Sequence, residues 1–108
     1  MIFSWLKARF THRGKAVAIY KKGLAKASRE DNSGAIKAFT QVIELRFAPK
    51  DIASMALFNR GLVLVASGEK TKGVVDLELV LEMENSPSNV RTMARQELAR
   101  IKSCDQPT

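Results

Sequence analysis

Two stretches of this chain carry the same pattern, and their spacing restricts the fold more than any other feature. Ala35 to Pro49 reads AIKAFTQVIELRFAP, and Gly73 to Pro87 reads GVVDLELVLEMENSP. Aligned 38 residues apart, Ala35 falls opposite Gly73, Ile36 opposite Val74, Phe39 opposite Leu77, and Val42 opposite Val80. The same offset pairs Ile43 with Leu81, Leu45 with Met83 and Pro49 with Pro87. Within each copy the small or apolar residues recur at i, i+1, i+4, i+7 and i+8, one broad stripe of a helix with 3.6 residues per turn. Each copy is therefore expected to be an amphipathic helix that needs a partner surface. The preceding segments echo one another too: Ala18, Ala56 and Ala94 share the spacing of 38, as do Gly23, Gly61 and Ala99. The chain reads as two full helix pairs followed by one further helix that caps the stack.

The element boundaries follow from the punctuation. Residues 1–14 form a separate basic amphipathic segment in which Phe3, Leu6 and Phe10 share a face, Ile2 flanks it and Trp5 lies further round. A first helix is expected from Lys15 to Arg29, stopped by Glu30, Asp31, Asn32, Ser33 and Gly34, residues that favour turns and side-chain caps. The next helix runs from Ala35 to about Phe47 and is closed by Pro49, which cannot continue a helix. Asp51 is the expected cap of a third helix that ends before Gly68. A fourth covers Lys70 to Glu84, with Asp76, Glu78, Glu82 and Glu84 assigned to an acidic solvent face. After the SPSN turn, Asn89 takes the capping place of Asp51, and a last helix extends to Cys104. The helical domain thus spans 15–104, and 105–108 form a tail.

Composition narrows the class. The longest apolar run, Leu62 to Ala66, is far too short to cross a bilayer. The single cysteine, Cys104, has no intrachain partner, which points to a reducing, cytoplasmic setting. The opening MIFSWLKARF lacks the continuous apolar region and small-residue cleavage site of a secretory signal. The net charge of +7 is uneven. Residues 1–29 hold eight basic side chains and no acid, while the remainder of the chain is close to neutral. Such a basic end can be a solvated face, or it can meet an acidic protein, an anionic membrane or nucleic acid.

Helix pairs with a glycine late in the first helix, an alanine and an aromatic four apart in the second, and a closing proline resemble the tetratricopeptide repeat family. The carriers are Gly23 with Ala35, Phe39 and Pro49, then Gly61 with Gly68, Gly73, Leu77 and Pro87. The resemblance covers about residues 16 to 104. The family period is about 34 residues, so this chain adds about four per unit near Lys50 to Ala53. Ile19 and Leu57 stand where the family has tryptophan, and Gly73 where it has alanine.

The resemblance implies an all-α superhelix of antiparallel helix pairs whose first helices line a concave groove. That groove would carry Val17, Tyr20, Lys21, Leu24 and Ala27 from the first unit, and Met55, Phe58, Asn59, Leu62 and Val65 from the second. An apolar face with one aromatic per unit suits an amphipathic helix or apolar peptide of a protein partner. Carboxylate clamping, known in part of the family, is not expected, because Tyr20, Leu24, Met93 and Glu97 occupy all its positions but that of Asn59. The competing view is that this face is plain core, covered by residues 1–13 or by a second copy of the chain.

Catalysis has little to rest on. His12 and Cys104 are far apart in sequence and neither stands beside an acid–base set. No ligand spacing for zinc and no cofactor fingerprint is present, and Gly68-Glu69-Lys70-Thr71 is an inter-helix turn rather than a phosphate loop. The leading expectation is a small, non-enzymatic adaptor that binds a peptide or helix through its groove. The alternatives are a peripheral membrane binder using the basic N-terminal region, with nucleic acid disfavoured, or a homo-oligomeric self-association module.

Overall fold

The computed structural model describes residues 2–105, with side chains described for residues 12–104. The described residues form five helices and no strand: α1 (Ile2–Ser28), α2 (Asn32–Glu44), α3 (Lys50–Ala66), α4 (Lys70–Glu82) and α5 (Ser88–Asp105). The expected break after residue 14 is absent. Gly14 alone costs only about 1 kcal/mol of helix propensity, and no proline or turn cluster accompanies it, so α1 continues through it for 27 residues, about 40 Å. Residues 2–13 therefore prolong the axis of α1, and folding back across Tyr20 and Phe58 is ruled out. How the side chains of Ile2, Phe3, Trp5, Leu6 and Phe10 are placed lies outside the described residues, as does the end of the tail, 106–108.

Both second helices stop earlier than their sequence pattern implies, and at matched places. α2 ends at Glu44 and α4 at Glu82, because Leu45 and Met83 turn extended and tuck against the two core clusters. The carbonyls of Pro49 and Pro87 then accept the first hydrogen bonds of α3 and α5, from the N–H of Ala53 at 2.9 Å and of Arg91 at 3.1 Å. Pro49, not Asp51, is thus the N-cap of α3, and Asn89 likewise lies inside the first turn of α5. Asp51 instead pairs with Arg13 at 3.1 Å, whose guanidinium holds the carboxyl below its ordinary range. Beside that pair the His12 ring lies 5.0 Å from the ring of Phe47, so the α2–α3 turn is pinned against α1.

The first helices end alike as well. In α3, Gly68 at φ 93° donates to the Val65 carbonyl at 3.2 Å, and Glu69 donates to that of Leu64 at 2.8 Å, a Schellman closure. In α1, Glu30 donates to Ala27 at 3.0 Å and Asp31 to Lys26 at 2.9 Å. Glu30 stands 38 residues before Gly68 and has φ 62°, so a side chain occupies the left-handed position where the other unit uses glycine. Asp31 then caps α2 by accepting from the Gly34 N–H at 3.0 Å.

Each helix packs on its neighbour in the chain, α1 and α5 both touch α3, and the backbones of α2 and α4 stay apart. On α3, Ile52, Ala56 and Val63 belong to the core shared with α2. Their counterparts on α5, Val90, Ala94 and Ile101, belong to the core shared with α4. The same register on α1 holds Gly14, Ala18 and Ala25, all exposed, since no helix pair lies on that side of α1. Phe39 and Leu77, Val42 and Val80 are all fully buried, matched pairs filling matched places.

Glycine sets the spacing inside the pairs. A methyl group on Gly73 would come 2.5 Å from Val65 Cγ2 and 2.7 Å from the Gly61 carbonyl oxygen, and one on Gly23 would strike the Phe39 ring. α3 and α4 therefore cross almost backbone to backbone. Gly73→Ala is expected to cost about 2–3 kcal/mol through overpacking, more than Gly61→Ala, whose nearest neighbour would be at 3.1 Å; urea unfolding of the two variants measures the order. Glu30→Gly, which releases a side chain from the left-handed region, is expected to stabilise the chain by about 1 kcal/mol. It should appear as a higher urea midpoint at unchanged slope.

Candidate functional site

Three helices offer side chains to one face. α1 and α5 each lie against α3, and in the register of 38 Val17, Met55 and Met93 share one position and Leu24, Leu62 and Arg100 another. Leu24 is 39% exposed and Met93 40%, while Val17, Met55 and Leu62 are half-buried. Lys21 is exposed on the outer edge. These are the parts of the expected groove that reach solvent.

The two aromatic residues assigned to it are different. Tyr20 is only 9% exposed and Phe58 8%, and they belong to separate core clusters. Tyr20 leans on Phe39, with ring centroids 5.8 Å apart, and its hydroxyl oxygen accepts a hydrogen bond from Asn59 Nδ2 at 3.0 Å. Burial raises the phenol's pKa, and the Asn59 amide partly offsets the shift. Asn59 Nδ2 also donates to the Met55 carbonyl at 2.9 Å, which fixes the amide between α1 and α3. Tyr20, Phe58 and Asn59 thus hold the floor of the face together, and removing the two rings would disturb the fold as much as any binding. Beside Asn59 a cleft of about 580 Å³ opens among Ala27, Glu30, Leu62 and Ala66, at the end of the face where the left-handed Glu30 sits.

The opposite side of the molecule holds a polar cluster that sequence reasoning missed. Arg60 on α3 donates through Nε and Nη2 to the two carboxylate oxygens of Asp76 on α4, at 2.7 and 2.9 Å, and through Nη1 to Thr40 Oγ1 on α2 at 3.1 Å. The Asp76 side chain is 6% exposed and that of Arg60 22%, so Asp76 does not belong to the acidic solvent face. Its place in GVVDLELVLE, three residues after Gly73 and beside Leu77, was the available signal. The hydrogen bonds to Asp76 raise the Arg60 pKa further above its ordinary value. Above the pair lies a cleft of about 420 Å³ walled by Ile36, Leu64 and Val75. The bonded trio ties α2, α3 and α4 together.

Among the described residues no group of three or more His, Cys, Asp or Glu is placed to hold a metal ion, and no helix is long and apolar enough to cross a membrane. Cys104 is exposed. Asp76→Ala, which strands a half-buried guanidinium, is expected to cost about 2–4 kcal/mol, whereas Arg60→Met with Asp76→Leu should cost less than half as much. Thermal unfolding of both variants makes the comparison. Comparison with protein-family models, with curated proteins and with solved structures finds no match to this chain.

Proposed function

We propose that the chain is a tetratricopeptide-like helical-repeat module of the cytoplasm, without catalytic activity, that binds an amphipathic helix of a partner protein across α1, α3 and α5. Three matched features support the repeat reading: the first hydrogen bonds of α3 and α5 to Pro49 and Pro87, the closures at Glu30 and Gly68, and the buried pairs at a spacing of 38. Contact among the first helices while α2 and α4 stay apart favours a stack that curves with the first helices inside.

The observation that carries the binding reading is the apolar row Val17, Met55 and Met93, half-buried to exposed, with Leu24 and Leu62 running parallel to it. A helix with apolar residues at i, i+3, i+4 and i+7 matches two such rows, and two methionines let the surface adjust to its ligand. Lys21 at the edge favours an acidic flank on the partner.

A photo-crosslinking residue at position 93 or 24 is expected to capture a partner in cells, and the same residue at exposed Glu78 on α4 is not. Leu24→Glu with Met93→Glu should weaken binding of the purified partner at least about tenfold while leaving thermal unfolding within a few degrees, both sites being exposed. Equal capture from position 78, or unchanged affinity in the double variant, would overturn the reading.

A further inference from the structure

The outer face of α1 differs in kind from every other helix face. Where α3 has Ile52, Ala56 and Val63 in this register and α5 has Val90, Ala94 and Ile101, all packed against a preceding helix, α1 has Gly14, Ala18 and Ala25 in the open. Around these small residues stand Lys15, Lys21, Lys22 and Arg29, all exposed and without an ion pair among the described residues. Of the other bases on α1, Arg13 is tied to Asp51 and Lys26 to Asp31. Not one acid occurs from residue 1 to residue 29.

We propose that this outer face of α1 docks on an anionic lipid bilayer. A helix about 40 Å long can lie along a plane, and small residues at its centre let the flanking lysines reach headgroups on both sides. The folded stack hangs on the opposite side of α1, where Ala16, Tyr20 and Gly23 are buried, so none of the described side chains obstructs the approach. A duplex nucleic acid, whose phosphate ridges curve away from a helix axis, would meet only a few of these bases. The site meets the groove on α1, α3 and α5 only at Lys21.

The test is co-sedimentation of the full chain with vesicles of phosphatidylcholine alone and of phosphatidylcholine mixed with phosphatidylserine, at low and high salt. Binding is expected to the mixed vesicles only and to fall as salt rises. Lys15→Glu with Lys22→Glu should weaken it at least about tenfold. Lys37→Glu with Lys50→Glu, which changes the net charge equally on other helices, should leave it within about twofold. All four positions are exposed, and circular dichroism confirms that each variant is folded. The proposal is overturned by equal binding to neutral vesicles, by equal loss in both variants, by no vesicle binding at all, or by tighter binding to duplex DNA than to the mixed vesicles.

Discussion

The arrangement depends on how closely α3 and α4 approach at Gly61 and Gly73. With no side chain on either residue the two backbones come almost into contact, and the apolar residues on either side of the crossing, Leu57, Leu64, Leu77 and Val80, can close over it. α3 is then committed on several fronts at once. One side meets α2 through Ile52, Ala56 and Val63, another meets α4, and Phe58 reaches the cluster that contains Val90 and Ala94 on α5. A helix held this way needs little amphipathicity of its own, since its polar positions are few and mostly engaged. Between its first and last turns, what remains open on it is narrow: Met55, Asn59 and Leu62, and on another side Arg60.

Much of this was legible in the residues. The spacing of 38 marked Phe39 with Leu77, Val42 with Val80 and Pro49 with Pro87 as equivalent; the first two pairs are fully buried, and both proline carbonyls accept the first hydrogen bond of the helix that follows. Local chemistry marked the turn at Gly68. The places that misled did so for identifiable reasons. Helix ends at Glu44 and Glu82 depend on where Leu45 and Met83 find core to bury against, which is a tertiary matter. Asp51 looks like a cap because a carboxylate just after a turn often is one, yet the carbonyl of Pro49 had already taken that position. Asp76 carries a charge in a run with three other acids, and only the arrival of Arg60 from α3 explains its burial. Ala18 matches Ala56 and Ala94 in sequence but not in surroundings, because equivalence of register does not supply a neighbour.

Periodicity assigned Val17, Lys21, Leu24, Met55 and Leu62 to one face, and all five reach solvent at least in part. Periodicity does not separate a residue that points across a groove from one that points into the seam beneath it. Tyr20 and Phe58 went to the seam: aromatic rings have the most apolar surface to hide, and the joints between α1, α2 and α3 and between α3 and α5 had room for them. The smaller and more flexible side chains were left to face outward.

Thr40, Arg60 and Asp76 join α2, α3 and α4 in one chain of directed bonds. Apolar seams permit helices to slide and roll with little penalty over short distances, but a guanidinium fork tolerates neither. This polar strap therefore indexes the two hairpins against each other as a key indexes a shaft, and it does so from behind α3. The set of the α1–α2 hairpin against the α3–α4 hairpin is thus fixed from behind α3, by residues remote from Val17, Met55 and Met93.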